Sequence, residues 1–318
     1  MVSCKICGGE LLAKHQEMFD NRHGYPGHFD IYECSTCGFM QTEPQLTGNR
    51  LTEVYSKYYP QRDADIKTVR KAGETMPTWE EIKQKGLTTT CHYGIVGKGD
   101  RVLDVGSGAC YSLVEISAMG GKAWGIDPDK NSQKVAKELG LRFHCGLMYD
   151  CPFPKKYFDL ITASQVLEHE PKPLRFLLTA KKFLRPGGKI RLSFPNTGAL
   201  FRYVWGRNWL HWHVPYHVNH FNRRSFEMLA EESGLKIVYL TTATPNLWTI
   251  LQIRSWLNSP KIGERDGMWD GAPNQPQKTG SQLIPYVEKL LFFNRLIDAA
   301  GWGESFVVEL ESLTTINA

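Results

Sequence analysis

The 318-residue sequence predicts an α/β fold: a doubly wound, Rossmann-like sheet of seven strands preceded by a small metal-binding module. Three observations predict it. Arg101-Val-Leu-Asp-Val-Gly-Ser-Gly-Ala109 and Trp124-Gly-Ile-Asp127 read as a buried strand, a glycine turn, a helix and a second strand ending in a carboxylate. That is the form of a parallel βαβ unit that holds a nucleoside-bearing ligand. Strand-like and helix-like segments then alternate, as in a parallel sheet covered on both faces. Finally, two Cys-x-x-Cys pairs stand near the N-terminus.

Size and composition set the limits. The chain exceeds one typical domain and can bury a full core. Its 42% apolar and 22% charged content is ordinary for a globular protein. No apolar run approaches the ~18–20 residues that span a bilayer, so no membrane association is expected. The start, Met-Val-Ser-Cys-Lys-Ile-Cys, lacks the apolar stretch of a signal peptide, which predicts a cytoplasmic protein. The net charge of +5 is spread along the chain and does not argue for nucleic acid. Nothing in the sequence speaks to the oligomeric state.

In chain order, residues 1–45 form the first module. Cys4-Lys-Ile-Cys7 and Cys34-Ser-Thr-Cys37 are each followed by glycine, Gly8 and Gly38. Two such knuckles supply four thiolates, which suit a tetrahedral structural zinc. Two disulfides are the alternative, disfavoured in a reducing compartment. His15, His23 and His28 lie between the pairs as substitute ligands, although the cysteine set is complete. Cys91, Cys110, Cys145 and Cys151 lack pair spacing and read as small buried hydrophobes. Residues 46–97 form a helical connector or lid, interrupted by Pro77, with tyrosines at 55, 58 and 59.

The third module spans 98–318. Strands are predicted near 101–105, 122–126, 141–145, 158–163, 188–194, 236–242 and 305–311. Helices are predicted over 111–119, 130–139, 172–184 and 224–233, and an aromatic, histidine-rich segment occupies 201–222. Residues 258–281, rich in Gly, Pro, Asn and Gln, read as an exposed or disordered loop.

The glycine turn alone suits several nucleoside cofactors, NAD among them. Its surroundings narrow the choice. Phe158-Asp-Leu-Ile-Thr-Ala-Ser-Gln-Val-Leu-Glu-His169 follows Pro152-Phe-Pro154, then come Phe183-Leu-Arg-Pro-Gly-Gly-Lys-Ile190 and Ser193-Phe-Pro-Asn196. With these motifs the chain resembles the class I S-adenosylmethionine-dependent methyltransferases over about residues 95–245, and among them those with an N-terminal zinc ribbon that act on sugars and other biosynthetic intermediates. The resemblance implies that Gly106, Ser107 and Gly108 approach the methionine portion of the cofactor and that Asp104 orients its amino group. It implies that Asp127, with Pro128 beside it, accepts the ribose hydroxyls. Leu147 and Met148 would flank the adenine, and Ser164 and Gln165 would line the sulfonium side. Two residues depart from the family pattern: Cys110 stands where glycine is usual, and Gly146-Leu-Met148 stands where Gly-Asp-Ala is usual. The second departure removes the carboxylate that commonly meets the adenine amine, leaving backbone groups or Asp150.

Methyl transfer from an activated sulfonium asks for alignment and exclusion of water. An acceptor hydroxyl or carbon acid also asks for a base titrating near neutrality. Trp209-Leu-His-Trp-His-Val-Pro-Tyr-His-Val-Asn-His-Phe221 is the richest supply. The resemblance makes His217 of Pro215-x-His-x-x-x-Phe221 the first choice, with Tyr216 and His220 assisting and His169 lining the acceptor pocket. The bland alternative is that these rings pack a lid. A catalytic divalent ion held by Glu168, His169 and two of the late histidines is a further alternative, weakened by Gln165 where a first glutamate would stand. A small-molecule acceptor is therefore expected, with an RNA-directed enzyme as the other reading. The ribbon's Lys5, Lys14 and Arg22 against Glu10, Glu17, Asp20, Asp30 and Glu33 favour the former.

Overall fold

A computed structural model of the chain describes residues 3–59, 65–270, 287 and 290–313. It divides into two compact units, one drawn from Met1–Pro60, Pro195–Phe226 and Thr242–Ser305, the other from Gln61–Phe194, Glu227–Thr241 and Phe306–Ala318. The aromatic segment 201–222 falls in the same unit as the N-terminal residues.

The sheet unit holds β4 (Arg101–Val105), β5 (Lys122–Asp127), β6 (Arg142–Cys145), β7 (Phe158–Ser164), β8 (Leu184–Pro195), β10 (Leu235–Ala243) and β11 (Ser305–Ser312). Their order is β10-β11-β8-β7-β4-β5-β6, and β8, β7, β4, β5 and β6 are mutually parallel neighbours. All seven expected strands are present. Central strands covered on both faces need continuous apolar runs, and Val102, Leu103, Phe158, Ile161, Ile190 and Leu192 are buried accordingly. The helices α4 (Tyr111–Ala118), α5 (Lys130–Glu138), α6 (Pro173–Phe183) and α8 (Arg223–Glu232) fall where predicted. β8 starts earlier than predicted, because Leu184 already pairs with Phe158. The ladder then skips to Lys189, so Arg185–Gly188 bulge out of register. Asp159 ties this bulge to the start of β4 by pairing with both Arg101 and Arg185.

The connector resolves into α2 (Ile66–Glu74) and α3 (Trp79–Lys85), with Pro77 between them. Asp65 caps α2 by accepting the Thr68 N–H, and Thr78 with Glu81 forms a capping box on α3. Val69 of α2 is buried beside Leu113 and Ile116 of α4.

The other unit is built on a four-stranded sheet of β1 (Leu11–Met18), β2 (Phe29–Cys34), β3 (Met40–Glu43) and the two-residue β9 (Asn219–His220). β9 pairs antiparallel with β3, Met40 opposite His220. The core beneath it joins Phe29, Ile31 and Met40 to Trp209, Trp212, Val214 and Tyr216. Part of the expected loop is ordered here: α9 (Asn246–Asn258) runs into it and Asp266 is buried, its N–H donating to the Arg22 carbonyl at 2.9 Å. Residues 271–281 of that loop lie outside the described residues. Among the described residues, no helix is long and apolar enough to cross a membrane.

Candidate active site

The residues assigned to a cofactor stand at the carboxyl ends of four neighbouring strands, the edge where open α/β sheets bind ligands. Asp104 of β4 is buried, and its two oxygens accept from the hydroxyls of Ser112 (2.5 Å) and Thr162 (2.6 Å). Burial pushes its carboxyl up, and those hydroxyls oppose the rise. Gly106 has φ +73, and a Cβ there would come 2.5 Å from a methyl of Val166. Only glycine combines that conformation with that clearance. The N–H groups of Gly106 and Ser107 both donate to the Ile126 carbonyl, at 2.8 and 3.1 Å.

Asp127 ends β5. Its Oδ2 accepts the Gly108 N–H at 2.8 Å and its Oδ1 the Asp129 N–H at 2.9 Å, so one carboxylate fixes the glycine turn and the next helix start together. Pro128 follows directly. After β6, Met148 is buried whereas Leu147 is 53% exposed, an apolar face open to solvent. Asp150 turns back onto its own segment, accepting the Leu147 N–H at 3.1 Å and lying 3.2 Å from His144 Nε2. After β7, Ser164 Oγ accepts the Cys91 N–H, and Gln165, at φ +55, donates from its backbone and its side-chain amide to Ser193. Cys110, where glycine was expected, keeps the left-handed conformation (φ +68) that glycine would adopt.

The four paired cysteines meet in the N-terminal unit. Cys4 Sγ lies 3.6 Å from Cys37 Sγ and Cys7 Sγ 3.4 Å from Cys34 Sγ, and all four sulfurs fall within 4.8 Å of one another. None is in a disulfide. A tetrahedron of sulfurs about 2.3 Å from a zinc ion has edges of about 3.8 Å, so the spacing fits that ion. The N–H groups of Ile6 and Thr36 point at Cys4 Sγ and Cys34 Sγ, both at 3.4 Å, as donors to thiolate.

The same unit collects the histidine-rich segment. His217 Nδ1 lies 2.8 Å from the His211 carbonyl. A carbonyl only accepts, so Nδ1 carries the hydrogen and Nε2 the lone pair. His220 differs. Thr42 Oγ1 donates to the His217 carbonyl at 2.8 Å, so His220 Nε2, 2.9 Å from that hydroxyl, is the donor in its pair. Burial pushes His220 down to about 3, which keeps it neutral. Tyr216 stacks on His213 with ring centres 4.7 Å apart. Two partners that sequence reasoning did not place here join them: His23 contacts Tyr216 at 5.3 Å and His213 at 5.5 Å, and Tyr59 lies 5.2 Å from Tyr216. In the sequence His23 stands out only as a substitute metal ligand.

With this geometry in place, comparison with known proteins decides the family. The profile described as a methyltransferase domain matches residues 75–240, more than half of the chain. The chain belongs to the class I S-adenosylmethionine-dependent methyltransferase family. It is 33% identical over 110 residues to an uncharacterized methyltransferase of Schizosaccharomyces pombe, covering 30% of this chain and 40% of that protein. The ubiquinone biosynthesis O-methyltransferase of Coxiella burnetii is 30% identical over 105 residues, covering 31% and 45%. The chain thus spans less than half the length of these curated relatives. A solved S-adenosylmethionine-dependent methyltransferase from Archaeoglobus fulgidus shares 15% identity at a TM-score of 0.46, over 77% of this chain and 99% of that one.

The methyltransferase also holds a group whose environment the motif reading did not foresee. Glu168, on the turn after β7, is fully buried, and among the described residues neither carboxyl oxygen has a hydrogen-bond partner. Burial pushes its carboxyl from 4.5 up to about 8. The folded state therefore holds this proton more tightly than the unfolded chain. The burial cost is absent below about pH 4.5, grows as pH rises towards about 8, and is constant above. Glu168→Gln is accordingly expected to raise the melting temperature of the ligand-free methyltransferase at about pH 9 and to leave it nearly unchanged at about pH 4.5. The gain at high pH is a few kcal/mol at most. Equal shifts at both pH values would refute the assignment.

Proposed function

We propose that this methyltransferase acts on a small-molecule acceptor, a sugar, nucleotide sugar or other biosynthetic intermediate, with His217 as general base and a structural zinc on Cys4, Cys7, Cys34 and Cys37. The tautomer of His217 carries the proposal. Its Nδ1–H is committed to the His211 carbonyl, so the ring is oriented and Nε2 is its proton-accepting atom. His220 supports the base indirectly, through the Thr42 hydroxyl that holds the His217 carbonyl. Tyr216 supplies a stacked aromatic wall with His213, and His169 lines the acceptor side.

When bound, S-adenosylmethionine supplies a methyl group already activated by its sulfonium. The chain's residues bind and orient. Asp104 takes the ammonium, with Gly106, Ser107 and Gly108 along the methionine portion. Asp127 and Pro128 hold the ribose, Leu147 and Met148 the adenine, and Ser164 and Gln165 face the sulfonium side. His217 Nε2 takes the proton released by the acceptor.

The N-terminal unit suits a small acceptor better than RNA. Of its cations, Lys14 pairs with Glu33 at 2.8 Å, and Arg22 is buried with its guanidinium 4.3 Å over Trp269. Two of the ribbon's three cations are thus engaged within the protein and withdrawn from phosphates. The Coxiella relative, a ubiquinone biosynthesis O-methyltransferase, is also an enzyme of small-molecule chemistry. Four free thiols in this arrangement suit a reducing compartment, the cytoplasm.

The test is methyl transfer from labelled S-adenosylmethionine to a panel of nucleotide sugars and sugar phosphates, with total RNA alongside. Label should enter the small molecules, and label in RNA alone would overturn the reading. On the acceptor found, His217→Ala is expected to lower kcat by about 10²–10⁴-fold with cofactor affinity retained. Full turnover by that variant would remove the base.

A further inference from the structure

His92 is buried, ionisable, outside every motif of the family, and given no task by the chemistry above. Its surroundings point to one. Its Nε2 lies 2.7 Å from Glu115 Oε2, and the hydroxyl of Tyr93 donates to Glu115 Oε1 at 2.9 Å. Glu115 stands three residues after Ser112 on α4, and residues so spaced share a helix face. Ser112 is the residue whose hydroxyl donates to Asp104.

The segment that carries His92 is fastened over the cofactor edge of the sheet. The Cys91 N–H donates to Ser164 Oγ at 2.9 Å, and Ser193 Oγ donates to the Thr89 carbonyl at 2.5 Å. Arg191 Nη1 donates to the Tyr93 carbonyl at 3.1 Å. Three side chains from β7 and β8 thus hold one short piece of backbone in place. Against a carboxylate, which only accepts, His92 Nε2 must carry the hydrogen. In the neutral ring Nδ1 is then an acceptor, and among the described residues it has no hydrogen-bond partner. A ring fixed by a carboxylate at one nitrogen, with the other nitrogen facing a ligand, is a recurring way to orient an imidazole.

We propose that His92 Nδ1 accepts a hydrogen bond from the ammonium group on the methionine portion of S-adenosylmethionine, with Glu115 as the positioning residue that sets the ring. Two carboxylates, Asp104 and Glu115, flank this place. Such a site attracts a cation and repels the carboxylate at the same end of the ligand. The ammonium therefore has Asp104 and His92 as complementary acceptors. The proposal rests on the cofactor the family uses and is independent of which acceptor is methylated.

The experiment is calorimetric titration of the full chain with two ligands. S-adenosylhomocysteine carries the amino-acid end, and 5′-methylthioadenosine lacks it. His92→Phe keeps a planar ring and removes the acceptor. It is expected to weaken S-adenosylhomocysteine at least tenfold while 5′-methylthioadenosine binds as to the wild type. His92→Asn, whose amide oxygen stands near the position of Nδ1, should recover most of the loss. Glu115→Gln should give an intermediate loss confined to the first ligand. Unchanged S-adenosylhomocysteine affinity in His92→Phe overturns the proposal. So does an equal loss for both ligands, which would mean that the ring only packs the site.

Discussion

Cys34→Ser is expected to unfold the N-terminal unit, and prolonged treatment with a strong zinc chelator to do the same to the wild type. Cys34 ends β2, and its sulfur is one of four that converge within 4.8 Å. The strands leaving the knuckles carry Phe29, Ile31 and Met40, on which Trp209, Trp212 and Tyr216 pack. Structural zinc contributes about 10–16 kcal/mol in small zinc modules, whereas a whole domain is stable by only about 5–15 kcal/mol. Losing the ion therefore removes as much free energy as the unit has to spare. Tryptophan fluorescence and near-ultraviolet dichroism report the change, because Trp209 and Trp212 are buried in that core. Elemental analysis should find one zinc per chain. Metal-free protein with unaltered tryptophan signals would sink the zinc assignment.

The second large effect belongs to Asp127. Asp127→Ala is expected to weaken S-adenosylhomocysteine by about a hundredfold or more, since hydrogen bonds to a charged group contribute about 1.5–3 kcal/mol each and both ribose hydroxyls would lose theirs. The same substitution releases the N–H groups of Gly108 and Asp129, so part of the loss comes through the turn itself. Asp127→Asn separates the two contributions. It keeps one oxygen for the turn and loses the charge, and should fall between wild type and alanine. Calorimetry reads the affinities and thermal unfolding reads the turn. An alanine variant that binds like the wild type would dismiss the ribose role.

The sheet was legible because its signals are local. Arg101–Val105 and Phe158–Ser164 are apolar runs punctuated by a glycine turn or a charged loop, and a parallel strand buried on both faces needs nothing more distant to declare itself. The cysteine pairs declared themselves by spacing. The polar aromatic cluster did not. His23 and Tyr59 meet His213 and Tyr216 across more than 150 residues, through a sheet whose last member, Asn219–His220, is too short for any periodicity to show. The buried states of Glu168 and His92 were equally hidden. Both residues look like ordinary polar positions until the elements packed against them are known, because burial belongs to the whole fold and not to the neighbouring letters.

The pairing of β3 with β9 has a consequence for how the chain is made. Met40–Glu43 leaves the ribosome early, whereas its partner Asn219–His220 follows about 180 residues later. At typical synthesis rates of about 5–20 residues per second, the edge of β3 waits on the order of ten seconds or longer with its backbone groups unmatched. Those groups, on Met40 and Gln41, belong to residues that are buried in the finished fold. A nascent chain in that interval is exposed to edge-to-edge association with its neighbours. Early metal capture by the two knuckles would hold the first three strands in register while the rest of the unit is still being synthesised.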